Sequence, residues 1–98
     1  MKTRDSGEDN KKYFRELLEM LRALAEDRNL LEAFFEDLLT PKELEEVSKR
    51  WQIVKLLDRN VPHHEIAKRL HAAVETVSRG AREMRDAKGG FRRALREL

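Results

Sequence analysis

Apolar residues in this 98-residue chain recur at intervals of three and four, which is the spacing of one face of an α-helix. Breaks in the spacing predict a first helix over about 8–27, a short second helix ending near 39, and a third over about 41–58. Two more helices are predicted between about 62 and 86, and a short closing helix follows them. The pattern therefore predicts an all-α fold of six helices without a strand.

Local signals support these boundaries. Thr40 is a candidate N-cap, the proline after it suits a first helical position, and Glu43 could return the capping-box hydrogen bond. Asn60 can take a left-handed conformation at the end of the third helix, and Pro62 opens the next one. Residues 88–90, Lys-Gly-Gly, are predicted to break the fifth helix.

The predicted domain organisation is a disordered tail over residues 1–7 and a single helical domain over 8–98. The second and third helices carry apolar residues over more of their circumference than one small monomer can cover, which favours a homodimer. In the second helix these residues are Leu30, Leu31, Phe34, Phe35, Leu38 and Leu39. Trp51 in the third helix is interpreted as a core or interface residue rather than a ligand-stacking one.

Residues 61–85, VPHHEIAKRLHAAVETVSRGAREMR, are typical of a helix-turn-helix. The segment has two apolar edges, separated by a break of about three residues, that would face each other. The first edge consists of Ile66, Ala67 and Leu70, and the second of Val74, Val77, Gly80 and Ala81. In this motif the first turn of the second helix points to base edges in the major groove of DNA. The segment therefore predicts a DNA-binding function.

Charge is divided unevenly between the two halves of the chain. Residues 1–48 hold 8 Lys or Arg against 13 Asp or Glu, whereas residues 49–98 hold 13 against 6. A basic half that contains a helix-turn-helix suits a polyanion partner such as double-stranded DNA, because neutralised phosphates release counterions. The charge distribution alone is equally compatible with a basic helix surface that faces solvent and binds no polyanion.

Composition excludes several other classes. The absence of cysteine excludes disulfides, thiolate metal sites and a cysteine nucleophile. No apolar run approaches the roughly 18 residues of a membrane span, and the N-terminus lacks a secretion signal, so we expect a cytoplasmic protein without a membrane partner. His63 and His64 would point about 100° apart on a helix, so no metal site is expected there. No nucleophile and base are grouped, which predicts that the chain is not an enzyme.

The candidate DNA-binding residues lie on the two motif helices. Arginines would contact phosphates, Glu75 could accept from a cytosine amino group, and Ser78 could serve several bases. The alternative is that these side chains only form solvent faces. The full candidate set is His63, His64, Val74, Glu75, Thr76, Ser78, Arg79, Arg82 and Arg85.

Over about residues 10–98 the chain resembles the tryptophan repressor family. The resemblance depends on LTPKELEEVSKRWQIVKLL in the third helix, on EIAKRL in the first motif helix and on ETVSRG in the second. It implies an intertwined homodimer from which two helix-turn-helix heads protrude. Such a dimer would bind two half-sites one DNA turn apart and act as a transcriptional repressor.

The resemblance also implies a pocket for free L-tryptophan, which sets the angle of each head and is the one small-molecule effector expected. Its residues in this chain are Thr40, Arg50, Thr76, Arg79 and Gly80. Either arginine could pair with a ligand carboxylate, and the glycine leaves room for a flat ring.

The chain departs from the family's pattern at two places. Glu83 stands where the family has a small serine near the amino group of the ligand. It could bind that ammonium group, or it could pair with Arg79 and occupy the site without a ligand. In the turn, 71–73 is His-Ala-Ala, without the usual glycine and polar N-cap. Each replacement is expected to lower the free energy of unfolding by about 1 kcal/mol.

Two functional hypotheses follow. In the first, the chain is a homodimeric, sequence-specific DNA-binding repressor that responds to an amino acid such as tryptophan. In the second, it is a helical dimerisation or adaptor module that has lost specific DNA recognition. The unusual turn and the acidic Glu75 favour the second hypothesis. Binding to duplex DNA distinguishes the two.

Overall fold

A computed structural model describes residues 7–97, and this part of the chain consists of six α-helices joined by short turns, with no strand. The predicted all-α fold is therefore confirmed. Residues 1–6 of the predicted tail, and Leu98 of the predicted closing helix, lie outside the described residues. The helices are α1 Gly7–Leu24, α2 Arg28–Leu38, α3 Pro41–Asp58, α4 His63–Leu70, α5 Val74–Met84 and α6 Gly90–Leu95.

Two helix ends differ from the prediction. The first helix ends at Leu24 instead of near Asp27, because the Asp27 carboxylate accepts a hydrogen bond from the Leu30 N–H at 3.1 Å and caps α2. The fifth helix ends at Met84, ahead of the glycine pair. Asp86 accounts for this early end, since its Oδ1 accepts from the Lys88 N–H at 2.9 Å and closes a turn.

Within residues 7–97 the chain divides into two compact units, one ending at Thr40 and the other beginning at Pro41. In the first unit α1 contacts α2, but neither helix contains a buried residue. Large apolar side chains remain exposed on both helices: Tyr13, Phe14, Leu18, Met20, Leu30 and Leu38. The described part of this unit therefore exposes an apolar surface.

The second unit has a small core in which α3 contacts both α4 and α5. The buried cluster at its centre consists of Ile53, Ile66, Ala67 and Val77, and the partly buried Leu56, Leu57, Val61, Leu70 and Ala72 pack against it. Ile66 and Val77 are completely buried, so the two motif helices face each other as their apolar edges predicted. Trp51 is partly buried. This packing forms a helix-turn-helix supported by α3.

The turn of the motif contains the unfavourable conformation predicted for it. His71 has φ 52° and ψ 46°, in the left-handed region, and its N–H donates to the Ala67 carbonyl. Ala73 is the N-cap of α5 and provides no side-chain hydrogen bond. Asn60 is also left-handed, with φ 61°, as its position at the end of α3 predicted.

Replacing His71 tests how much its left-handed conformation lowers the free energy of unfolding. We expect His71→Gly to raise the free energy of unfolding by about 1 kcal/mol, because glycine adopts positive φ without a Cβ clash. His71→Ala is the matched control and should give no gain, since alanine keeps the Cβ. Denaturant unfolding measures both variants, and equal gains for the two would contradict this account of the turn.

Candidate functional site

Helix α5 presents three separate faces, because successive residues advance by about 100° around the helix. Val77 and Met84 are buried and form the face that packs on the core. The second face lines a cavity and consists of Thr76, Arg79, Gly80 and Glu83. The third face points outward and consists of Val74, Glu75, Ser78, Arg82 and Arg85.

The outward face contains most of the predicted DNA-binding residues. Val74 is 49% exposed, Glu75 and both arginines are exposed, and Ser78 is partly buried beside the core face. His63 and His64 form the exposed start of α4. Thr76 and Arg79, also predicted to contact DNA, are exposed but line the cavity. The structure thus divides the predicted set between the start of α4 and two faces of α5.

The cavity has a volume of about 530 Å³ and lies between α3, α5 and the segment that leads into α6. Its lining residues are Arg50, Ile53, Thr76, Arg79, Gly80, Glu83, Asp86, Gly89, Gly90 and Phe91. Five of the six predicted ligand residues therefore come together here. The sixth, Thr40, is the last residue of the first unit, and its role remains a prediction from the resemblance.

The cavity contains both signs of charge beside an apolar wall. Within residues 7–97, neither Arg50, Arg79 nor Glu83 takes part in an ion pair or a side-chain hydrogen bond. The Arg79–Glu83 pair considered from the sequence is therefore not formed in this structure. The side chains of Ile53 and Phe91 supply the apolar wall. A ligand that combines charged groups with an apolar body suits this lining.

A second cavity, of about 370 Å³, shares Arg50 and Thr76 with the first. Its other walls come from α3 and the motif turn, and most of them are charged: Lys42, Glu45, Glu46, Lys49, His71, Ala72 and Ala73. Lys49 and Glu45 form an ion pair at 3.1 Å. Because two alanines are its only apolar walls, this cavity is the poorer site for a ligand with an aromatic ring.

The part of the site that follows α5 was not predicted from the sequence. Asp86, Gly89, Gly90 and Phe91 line the cavity, although the glycine pair was interpreted only as a helix end. The Nε of Arg92 also holds this segment, since it donates to the Met84 carbonyl at 2.8 Å, one of the last carbonyls of α5 that lack partners within the helix.

Comparison with known proteins agrees with this architecture. The family described as Trp repressor protein matches residues 12–98. The chain belongs to the Trp repressor family. A Trp operon repressor homolog of Actinobacillus succinogenes is 38% identical over 73 residues, which cover 74% of this chain and 71% of the relative. Homologs of the same name from two Haemophilus influenzae strains, PittEE and PittGG, are 36% identical over the same shares. No solved structure matches the chain significantly.

The Trp repressor family is a regulatory family of DNA-binding transcriptional repressors and not a family of enzymes. Its helical fold agrees with the six helices found between residues 7 and 97. None of the described helices is both long and apolar enough to cross a membrane.

Gly80 packs closely against side chains of α3. A Cβ at this position would lie 3.3 Å from Ile53 Cγ2 and 3.6 Å from Leu57 Cδ1. We expect Gly80→Val to lower the free energy of unfolding by about 1–3 kcal/mol, because the added methyl groups overpack the core. Gly90→Val is the control: a Cβ there meets nothing within 4 Å, so a change below about 0.5 kcal/mol is expected. Denaturant unfolding measures both variants. If both lower the free energy of unfolding equally, the close contact between Gly80 and α3 is contradicted.

Proposed function

We propose that the chain is a homodimeric, sequence-specific transcriptional repressor that binds double-stranded DNA through the outward face of α5. The observation that carries this proposal is the orientation of α5. Val77 and Met84 are fixed in the core, while Val74, Glu75 and Thr76 in its first turn remain exposed on a basic half of the chain. Membership of the Trp repressor family supports the same function. Such a repressor would act in the cytoplasm, where its DNA target lies.

Contacts with DNA can be assigned by chemistry. Arg82 and Arg85 extend from the outward face and suit phosphate groups, which confer affinity without sequence preference. Glu75 and Ser78 suit base edges, because a carboxylate accepts from cytosine and a hydroxyl serves several bases. His63 and His64, at the start of α4, suit the adjacent backbone.

DNA binding is tested by selecting bound duplexes from a random pool, with and without an amino-acid mixture. We expect Arg82→Ala to weaken binding to every selected duplex and to reduce the salt slope by about 1, because one phosphate contact is lost. Arg22→Ala, which removes the same charge from α1, should change neither quantity. If the folded parent selects no duplex even at low salt, the repressor function is wrong.

A homodimer is supported by the first unit. Phe14 is 59% exposed, Tyr13 is 52% exposed, and no residue of α1 or α2 is buried. An apolar surface of this kind on two small helices favours association with another chain. The family resemblance favours a second copy as that chain.

The proposed dimer can be tested by replacing Phe14. We expect Phe14→Glu to shift the mass measured by light scattering from a dimer towards a monomer, because a carboxylate would be buried without a partner. Arg15→Glu places the same carboxylate at the neighbouring exposed position, with a larger change of net charge, and should leave the dimer intact. A parent chain that is monomeric at micromolar concentration would rule out this assembly.

We further propose that the cavity beside α5 binds an amino-acid effector such as L-tryptophan. Arg50 and Arg79 offer guanidinium groups for its carboxylate, and Ile53 and Phe91 offer apolar surface for a flat ring. Thr40 and Thr76 complete the set that the resemblance implies. An effector held between α3 and α5 would act on the angle of the DNA-binding helix.

The second candidate function is a dimerisation or adaptor module. Glu75 is exposed on the outward face, where it would repel phosphates, and α5 lacks a side-chain N-cap. In that case the parent would be a dimer that selects no duplex. Arg79→Ala and Arg82→Ala would then leave its protein interactions unchanged.

A further inference from the structure

We infer that Arg92 is a positioning residue for DNA recognition, which connects the end of α5 to the end of α3 and so fixes the tilt of the DNA-binding helix. The inference rests on the proposed function, because it assumes that the outward face of α5 binds DNA. It assigns a role to a residue of α6 that lies outside the helix-turn-helix and outside the cavity lining.

The guanidinium group of Arg92 contacts two other helices. Its Nε donates to the carbonyl of Met84, the last residue of α5, at 2.8 Å. Its Nη1 lies 3.5 Å from Oδ1 of Asp58, the last residue of α3. Because both nitrogens belong to one planar group, the two acceptors are held at a fixed separation. One side chain of α6 therefore joins the C-terminal ends of α3 and α5.

The position of Asp58 in α3 supports the same role. The C-terminal end of a helix carries a partial negative charge, which disfavours a carboxylate there. Asp58 is nevertheless the last residue of α3, and Arg92 supplies the cation that compensates it. The Lys49–Glu45 and Arg69–Glu65 pairs, by contrast, each join residues four apart within one helix. The Arg92–Asp58 pair connects separate helices and can therefore influence their relative orientation.

The connection at Met84 matters because of where α5 is held elsewhere. Val77 is completely buried, and Gly80 lies against the Ile53 side chain, so both fix the middle of the helix. Met84 lies roughly 10 Å beyond Val77 along the helix axis. A helix held at two separated points resists pivoting, and its exposed first turn then keeps one direction. Contacts with base edges depend on that direction and supply sequence preference, whereas phosphate contacts supply affinity without it.

The sequence preference of DNA binding tests this role. It is measured as the ratio of the affinities for a selected duplex and for a shuffled one. We expect Arg92→Ala to lower the ratio about tenfold, comparable to the loss of one base contact. The salt slope should not change, because the guanidinium group contacts protein acceptors and no phosphate. Arg92→Lys should not restore the ratio, since an ammonium group lacks the planar fork.

Arg93→Ala is the matched control for the loss of a cation. It removes the same charge from the neighbouring position of α6, which is exposed, and the Arg93 side chain has no ion-pair or hydrogen-bond partner within residues 7–97. We expect this variant to keep the sequence preference of the parent.

Asp58→Ala separates positioning from charge. Removal of a carboxylate would by charge alone strengthen binding to DNA, because less negative charge opposes the phosphates. Since Asp58 is a partner of Arg92, we expect weaker binding to the selected duplex instead. Glu97→Ala removes an exposed carboxylate outside this contact and should show no such loss. Circular dichroism checks that each variant is folded at the assay temperature, as expected for the loss of an exposed ion pair.

Several outcomes would overturn the inference. They are an unchanged preference in Arg92→Ala, a reduced salt slope in that variant, full restoration by Arg92→Lys, or stronger DNA binding by Asp58→Ala. If Arg92→Ala does not fold, Asp58→Ala decides alone. A parent that selects a duplex while Asp58→Ala and Arg92→Ala bind as it does refutes this inference alone, whereas a folded parent that selects no duplex refutes the proposed function and the inference with it.

Discussion

The packing of α5 against α3 and α4 is the constraint on which the other features of the second unit depend. Val77 is completely buried between these helices, and Gly80 lets the α5 backbone come close to Ile53. A helix held along one face has a fixed rotation about its axis. This contact therefore determines which side chains of α5 point outward and which line the cavity.

The cavity and the outward face are consequently linked through one rigid element. Thr76 and Arg79, which line the cavity, belong to the same helix as the outward face and are themselves exposed. A ligand changes DNA binding only if it binds one orientation of α5 more tightly than another. The α3–α5 contact is where such a difference would arise, because the cavity is bounded by these two helices and by the segment leading into α6.

Local chemistry was sufficient to predict much of this fold. The apolar spacing identified the two motif helices, and the residue type at Asn60 predicted its left-handed conformation, whereas the strain at His71 was expected from the glycine that the family has in this turn. The end of α1 was misplaced because helical spacing continues through Asp27, whose side chain instead caps α2. Periodicity reports which face is apolar, but it does not report which backbone N–H a carboxylate will accept.

The cavity was only half predictable for a different reason. Its residues on α3 and α5 were identified by resemblance, whereas Asp86 and Phe91 join it only because the chain turns back after Met84. That turn depends on the Asp86 side chain and on Arg92, which contacts a carbonyl eight residues earlier. Neither contact has a periodic signal in the sequence.

The location of Glu83 explains how this chain can depart from its family without losing the fold. All six buried apolar residues of the described chain lie in α3, α4 and α5, and none belongs to the charged lining of the cavity. Substitutions at exposed positions usually change stability by less than about 0.5 kcal/mol, so a carboxylate can replace a small polar residue there at little cost. The core therefore constrains the angle of α5 while leaving the charged lining of the cavity free to vary.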